Sequence, residues 1–395
     1  MAKTELKRNI GLGLLVFYGV GVMVGAGVYV LIGAVAGAAG IYAPVAFMLA
    51  GVVAAPTALA YSELSSRIPE AAGEAAYVEA SFRRAWLVAL IGFVVVLVGA
   101  VSAGTVMRGG VGYLGGIVNI DPVVASLLLG FLLIAVAIWG AFESLAVAAF
   151  FTIVEVLGLV VVSAAGLIAE PSVDWVQQPS VELTGISAGA VLAFFAFIGF
   201  EDMVNMAEET HEPQKTMPKA IIISLLVTTL LYALVSYAAV RTVSITALAN
   251  NEQPLALLWE ESTGRSAAFL SLIAVVAAMN GILAQMVMAS RVLMGLGRRY
   301  NSMRWLARVY PRFGTPALAT LLIGVVVIVI SVLAPVKVLA EITSSLLLLV
   351  FIIINASLLI LKRQSAHEGF SVPQWVPLFG CIASAAALLG TLLLD

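Results

Sequence analysis

The sequence predicts an all-α polytopic membrane protein with about eleven transmembrane helices. Of its 395 residues, 62% are hydrophobic and 11% are charged, whereas soluble domains carry about 25% charged residues. Long apolar runs recur along the whole chain, and a spanning helix needs about 20 such residues. The runs are too long for the strands of a membrane barrel and lack polar–apolar alternation.

The composition argues against several other classes of protein. With 20 Lys+Arg and 22 Asp+Glu there is no basic excess, so we expect no nucleic-acid partner. Two histidines and one cysteine, Cys381, leave little for a metal cluster. The predicted spans show no nucleophile–base pair. We therefore expect neither an enzyme nor a resident cofactor.

Eleven apolar runs give the predicted spans. The first follows Lys3, Lys7 and Arg8 as a signal peptide would, but it continues without a polar cleavage region. Residues 1–9 are then an N-terminal segment ahead of a retained helix. The spans are 10–36, 41–66, 85–114, 122–141, 145–169, 185–209, 219–242, 267–296, 316–334, 338–361 and 374–394.

The distribution of cations predicts the orientation. Of the 20 lysines and arginines, all but Arg108, Arg241, Arg265 and Lys337 fall on the side of the N-terminus. Cytoplasmic loops are enriched in such residues. We therefore expect a multi-pass protein of the cell membrane with a cytoplasmic N-terminus.

Glycines interrupt the first span near its middle. Gly19, Gly21, Gly25 and Gly27 fall within nine residues, and each costs a helix about 1 kcal/mol relative to alanine. Gly21 and Gly25 have the spacing of a close helix-packing pair, but the four glycines do not share one face. We expect local unwinding, with close packing as the alternative.

A second interruption is predicted in the sixth span. There Gly199 is followed by Phe200, Glu201 and Asp202. Ionisable groups at membrane depth are costly and face a cavity or the bundle interior. This stretch is therefore expected to be broken and to face inward.

The two interruptions lie at corresponding places in two five-helix units, residues 10–169 and 185–361. An odd number of spans inverts the second unit relative to the first and leaves 374–394 as an additional helix. Secondary transporters have this layout and hold substrate where the broken helices meet. Free N–H groups attract a carboxylate and free carbonyls an ammonium, so the pattern predicts an amino acid or a related amine as substrate.

Five stretches, in order, resemble signatures of the amino acid–polyamine–organocation (APC) superfamily. They are residues 25–28 (GAGV), 61–74 (YSELSSRIPEAAGE), 194–201 (FFAFIGFE), 207–214 (AEETHEPQ) and 289–291 (ASR). The resemblance covers nearly the whole chain and implies the leucine-transporter type of fold, with five plus five inverted helices. Relatives commonly have twelve helices, so the dimer contact that some make through their last two helices does not carry over, and the oligomeric state stays open.

The resemblance also implies a substrate site. The carboxylate would lie on the first helix and the amine on carbonyls of the sixth, where Phe195 is either an aromatic gate or a packing residue. The implied substrate-binding residues are Val24, Gly25, Ala26, Gly27, Phe195, Ile198 and Gly199.

Glu155 and Glu201 are the candidates for proton coupling. Residues 274–281 of the eighth helix contain no Ser or Thr, which weakens a sodium site of the wider fold. Proton-coupled relatives can carry a lysine near the position of Glu155. A buried glutamate there could exchange a proton, make a structural hydrogen bond or bind sodium. Glu201 would sense pH or bridge helices, and Asp202 is expected to partner a polar group.

Two further features have open interpretations. Glu63 and Arg67 have the i, i+4 spacing of a helical ion pair, which would act as a cytoplasmic gate or form a solvated helix end. The loop 242–266 is an external lid or a connector.

The sequence predicts a proton-coupled symporter for small or mid-sized neutral amino acids that works by alternating access in the lipid bilayer. The alternatives are an exchanger of cationic amino acids or polyamines, with Glu201 or Asp202 pairing the extra charge, and a non-transporting amino acid sensor on the same scaffold.

Overall fold

The structure, a computed structural model, describes residues 10–69, 73–139, 145–171, 182–309 and 315–394. The predicted N-terminal segment 1–9 lies outside these ranges. Within them the regular elements are helices, and the extended pairing is a single isolated bridge between Ile10 and Thr210. The predicted all-α fold class is confirmed.

The described ranges contain fourteen α-helices. They are α1 (Leu12–Ala39), α2 (Ala43–Arg67), α3 (Gly73–Phe82), α4 (Ala85–Gly115), α5 (Pro122–Trp139), α6 (Leu145–Ile168), α7 (Leu183–Phe195), α8 (Pro213–Thr242), α9 (Ile245–Ala249), α10 (Pro254–Thr263), α11 (Ala268–Arg299), α12 (Ala317–Leu333), α13 (Val336–Gln364) and α14 (Trp375–Leu394). Short 3-10 helices cover Gly40–Tyr42, Asp202–Glu209 and Asn301–Ala307.

Each of the eleven predicted spans corresponds to a helix, and most helix ends lie within three residues of the predicted bounds. In the described part of the chain, seven helical segments are long and apolar enough to cross a membrane, and four shorter apolar helices accompany them. The sixth span differs most, because α7 ends at Phe195 and a 3-10 helix follows at Asp202–Glu209.

Three helices outside the spans were not predicted. Helix α3 follows α2, while α9 and α10 occupy the loop 242–266. These helices are shorter than a span, so a search for long apolar runs passes over them. Leu248, Leu255 and Leu258 are buried, and both α9 and α10 pack against α1. The loop is therefore a packed structure rather than an open connector, while a lid role stays a prediction.

The helices pack in two groups. One contains α1, α2, α7 and α8, and the other contains α4, α5, α11 and α12. These are the first two and the next two helices of each predicted five-helix unit. Corresponding helices thus keep corresponding neighbours, as two related units would, while the inverted relation itself stays a prediction.

Large apolar side chains cover the outside of the bundle. Leu128, Phe131 and Leu230 are each more than half exposed. In water this surface would be an aggregation liability, whereas hydrocarbon is its natural solvent. The outer surface therefore agrees with a protein embedded in lipid.

Candidate functional site

The first predicted interruption occurs at Gly25. Helix α1 keeps helical geometry up to this residue, whose dihedral angles are φ −18° and ψ −167°. Gly19 and Gly21 stay within the helix, where an added Cβ would collide with Met203 and Thr152 respectively. The expected unwinding is thus confirmed at Gly25, while these two glycines serve close packing.

The second interruption covers residues 196–201. Helix α7 ends at Phe195, and turns connect it to the 3-10 helix that begins at Asp202. Gly199 has φ +127°, a conformation that residues with a Cβ rarely adopt. Gly199, which the sequence analysis placed at the second interruption, therefore occupies a position whose backbone conformation requires glycine.

The two interruptions contact each other through their backbones. A Cβ placed on Gly27 would lie 3.1 Å from the Cα atom of Ala196. A Cβ placed on Gly199 would lie 2.6 Å from Val22 Cγ1 and 3.0 Å from the Val22 carbonyl carbon. The two broken helices are packed together with no room for side chains between them.

The implied substrate-binding residues gather at this contact. Val24, Gly25 and Gly27 line the first break, and they are all buried. Phe195, Ile198 and Gly199 lie at the second break and are buried as well. Ala26 belongs to the first stretch, and its side chain lies outside the described part of the structure. Whether these residues bind substrate stays a prediction.

Tyr232 of α8 connects the two interruptions. Its hydroxyl oxygen lies 2.6 Å from the carbonyl oxygen of Met23 and 2.8 Å from that of Ala196. The ring is buried between Phe47 and Phe197. A single hydroxyl proton thus serves two carbonyls that the helix breaks have freed.

Sequence reasoning missed Tyr232. The available signal was a tyrosine hydroxyl in the middle of an apolar span, because a buried tyrosine usually needs a hydrogen-bond partner. Its partners could not be identified, since Met23 is 209 residues away along the chain.

Glu155 of α6 lies next to the first interruption. Its Oε1 accepts a hydrogen bond from Asn280 Nδ2 at 3.1 Å. Its Oε2 has no hydrogen-bond partner among the described residues and is fully buried. Gly281, the neighbour of Asn280, faces Gly25 across α11 and α1. Glu155 is therefore connected to the break at Gly25 through its partner helix α11, which contacts α1 at that point.

The backbone of Glu155 is also tied to α1. The Tyr29 hydroxyl donates to the Glu155 carbonyl oxygen at 2.7 Å, and the Tyr113 hydroxyl donates to the Tyr29 carbonyl oxygen at 2.7 Å. Helices α1, α4, α6 and α11 thus meet around one buried carboxyl group.

Glu201 and Asp202 make separate hydrogen bonds at the second interruption. Glu201 Oε2 accepts from the Gly199 N–H at 2.9 Å, and Asp202 Oδ2 accepts from Gln285 Nε2 at 2.8 Å. The expectation that Asp202 partners a polar group is confirmed. A coupling or pH-sensing role for Glu201 stays a prediction.

A third buried carboxyl group, Glu74 of α3, was not predicted. Its Oε1 accepts from the Tyr61 hydroxyl at 3.1 Å, and burial raises its pKa. Among the described residues no group of three His, Cys, Asp or Glu side chains is arranged to hold a metal ion.

Glu63 and Arg67 form the predicted ion pair, and it is buried rather than solvated. Arg67 contacts Glu63 Oε1 at 2.7 Å, and the side chains are 9% and 0% exposed. Lys362 Nζ lies 2.7 Å from Glu63 Oε2, which also accepts from the Val372 N–H at 2.7 Å. The cluster joins α2, α13 and the segment before α14, and a gate role stays a prediction.

A bundle with two facing helix interruptions and an apolar exterior is the architecture of secondary transporters. The family model for amino acid permeases matches residues 11–394. The chain belongs to this amino acid permease family of the APC superfamily. It is therefore a multi-pass membrane protein of a family of amino acid transporters.

Three curated relatives illustrate the similarity. An uncharacterized transporter of Mycobacterium tuberculosis is 30% identical over 391 residues, which is 97% of this chain and 87% of the relative. The vacuolar cationic amino acid transporter 4 of Arabidopsis thaliana is 30% identical over 347 residues, which is 80% of this chain and 57% of the relative. The branched-chain amino acid permease BcaP of Bacillus subtilis is 31% identical over 182 residues, which is 46% of this chain and 39% of the relative.

Replacing Tyr232 by Phe is expected to weaken the connection between the two broken helices. The ring packing is kept, but two buried carbonyls lose their shared donor, which costs about 1–3 kcal/mol. We expect a lower unfolding temperature of the purified protein and a slower initial rate of amino acid uptake.

Ser236→Ala is the matched control for Tyr232→Phe. Its hydroxyl lies one turn along α8 and bonds the carbonyl of Tyr232 within the same helix. Equal losses of uptake rate in both variants would contradict a special role for Tyr232.

Replacing Glu63 by Gln is expected to destabilise the protein strongly. Lys362 and Arg67 would remain buried without their carboxylate, and breaking a buried ion pair costs about 3–5 kcal/mol. Glu212→Gln removes a carboxylate from an exposed pair with Lys215 and is expected to leave the unfolding temperature unchanged. Equal unfolding temperatures of the two variants would show that the Glu63 cluster does not hold α2, α13 and the segment before α14 together.

Proposed function

We propose that this protein is a proton-coupled symporter that moves neutral amino acids across the cell membrane by alternating access, with its N-terminus in the cytoplasm. The observation that carries the proposal is Glu155, a buried carboxyl group beside the break at Gly25. One of its oxygens has no hydrogen-bond partner among the described residues. Family membership supports the substrate class.

The facing interruptions supply what an amino acid zwitterion needs. Backbone N–H groups around Gly25 and Gly27 would receive the carboxylate. Carbonyl groups near Phe195 and Ile198 would receive the ammonium group. Because these contacts use the backbone, they recognise the part that all amino acids share.

The surroundings favour an uncharged substrate side chain. Val24, Phe195 and Ile198 are apolar walls. A cationic side chain would need a buried partner, which these apolar walls do not offer. The name of the Bacillus relative, a branched-chain amino acid permease, points the same way.

A cationic substrate is the second candidate. The similarity to a plant cationic amino acid transporter favours it. In that case Glu201 or Asp202 would pair the substrate's charge in addition to the hydrogen bond that it already accepts. The apolar walls formed by Val24, Phe195 and Ile198 place this candidate second.

Proton coupling follows from the chemistry of Glu155. A buried carboxylate with an unpartnered oxygen is costly, whereas the protonated form keeps Oε1 as the acceptor for Asn280. Opening of the site would bring water to Oε2 and allow the proton to leave. Residues 274–281 offer no hydroxyl ligands beside it for a sodium ion.

The first experiment is uptake of radiolabelled amino acids into proteoliposomes under a pH gradient or, separately, a sodium gradient. We expect accumulation of leucine, isoleucine or valine under the pH gradient alone. Lysine uptake under the same gradient would favour the cationic candidate. Counterflow that ignores both gradients would make the protein an exchanger and refute symport.

The second experiment replaces Glu155 by Gln. The amide keeps an oxygen acceptor for Asn280 but cannot carry a proton, so accumulation driven by the pH gradient should be lost while counterflow survives. Glu252→Gln, at an exposed position between α9 and α10, is the control and should retain both activities. Unchanged gradient-driven uptake by the Glu155 variant would rule out its role in coupling.

A further inference from the structure

A pocket of about 250 Å³ lies where α3 turns into α4, at the end of the bundle where α1 begins. Its walls contain three arginines and one glutamate. The lining residues are Glu79, Arg83, Arg84, Ala85, Val88 and Arg299.

The charges of this pocket leave two cations available. Arg299 forms an ion pair with Glu79, so these two neutralise each other. Arg83 and Arg84 are exposed and have no ion-pair partner among the described residues. Arg83 also has φ +54°, a left-handed conformation that non-glycine residues rarely adopt. The tight connection therefore presents two adjacent guanidinium groups at one pocket.

The backbone adds to the positive potential. Arg84 is the N-cap of α4 and makes no side-chain cap, while the N–H groups of Leu87 and Val88 bond to its carbonyl. The N–H groups of Ala85 and Trp86 are left as donors at a helix N-terminus, where anions bind favourably. Together with the arginines, these groups form a cradle suited to phosphate.

An apolar track leads away from the pocket along α4. Trp86, Leu90, Phe93 and Leu97 are 66%, 45%, 41% and 49% exposed. Their spacing of four, three and four residues places them on one helix face. A tryptophan at the start of such a face is typical of the membrane interface.

We propose that this pocket binds the headgroup phosphate of an anionic phospholipid, whose acyl chains lie along the exposed face of α4. A free phosphate would use the arginines but gain nothing from the apolar track. A zwitterionic phospholipid would bring its ammonium group towards the arginines, which repel it. An anionic lipid is therefore preferred. This inference is independent of the transported substrate and of Glu155.

The test measures binding of phosphatidylglycerol to the purified full-length protein in detergent, by lipid titration and by the unfolding temperature. Phosphatidylglycerol should raise the unfolding temperature, while phosphatidylcholine and inorganic phosphate should not. The double variant Arg83→Gln, Arg84→Gln should bind phosphatidylglycerol about thirtyfold more weakly.

The control is the double variant Arg304→Gln, Arg308→Gln, which removes the same charge from exposed positions at the same end but outside the pocket. It should keep the full lipid response. Equal weakening in both double variants would show a general surface-charge effect, and stabilisation by inorganic phosphate alone would show a soluble-anion site. Either result would overturn the proposal. If the pocket variant does not fold, Ala85→Glu places a repelling carboxylate at an exposed position of the same wall and should also weaken lipid binding.

Discussion

The peptide groups that two interrupted helices leave unpaired inside the bundle are the constraint on which the rest of this structure depends. With no bulk water at that depth, each unpaired group costs several kcal/mol. The protein satisfies them with dedicated side chains, the hydroxyl of Tyr232 for two carbonyls and the carboxyl of Glu201 for the Gly199 N–H. Broken helices are stable here because neighbouring helices supply these partners.

The same constraint explains the small residues around the site. Gly27 lies against Ala196, Gly199 against Val22, and Gly25 against Gly281. Where backbones approach this closely, no side chains lie between them. The polar peptide groups are then the surface that a ligand can contact. Under the proposed function, such a surface would recognise the amino and carboxyl groups common to all amino acids.

Much of the fold could be predicted from the sequence because its strongest signals are local. Long apolar runs locate the spans, and clustered glycines locate the breaks. The sequence could not tell which glycine opens the first helix, because Gly19 and Gly21 differ from Gly25 only in what packs against them. The partners Asn280 of Glu155 and Lys362 of Glu63 lie 125 and 299 residues away from them along the chain. Such pairings depend on tertiary packing, which spacing along the chain does not reveal.

Glu63 and Glu155 show how the same buried group suits opposite tasks. Glu63 is surrounded by Arg67, Lys362 and the Val372 N–H, all of which stabilise its charged form. Glu155 has one amide donor, and its second oxygen has no hydrogen-bond partner among the residues that the structure describes. Removing the carboxylate of Glu63 would leave two buried cations without their partner, whereas the carboxyl group of Glu155 contacts a neutral amide. The carboxyl group beside the helix break is therefore the one that we propose exchanges a proton, whereas Glu63 joins α2, α13 and the segment before α14.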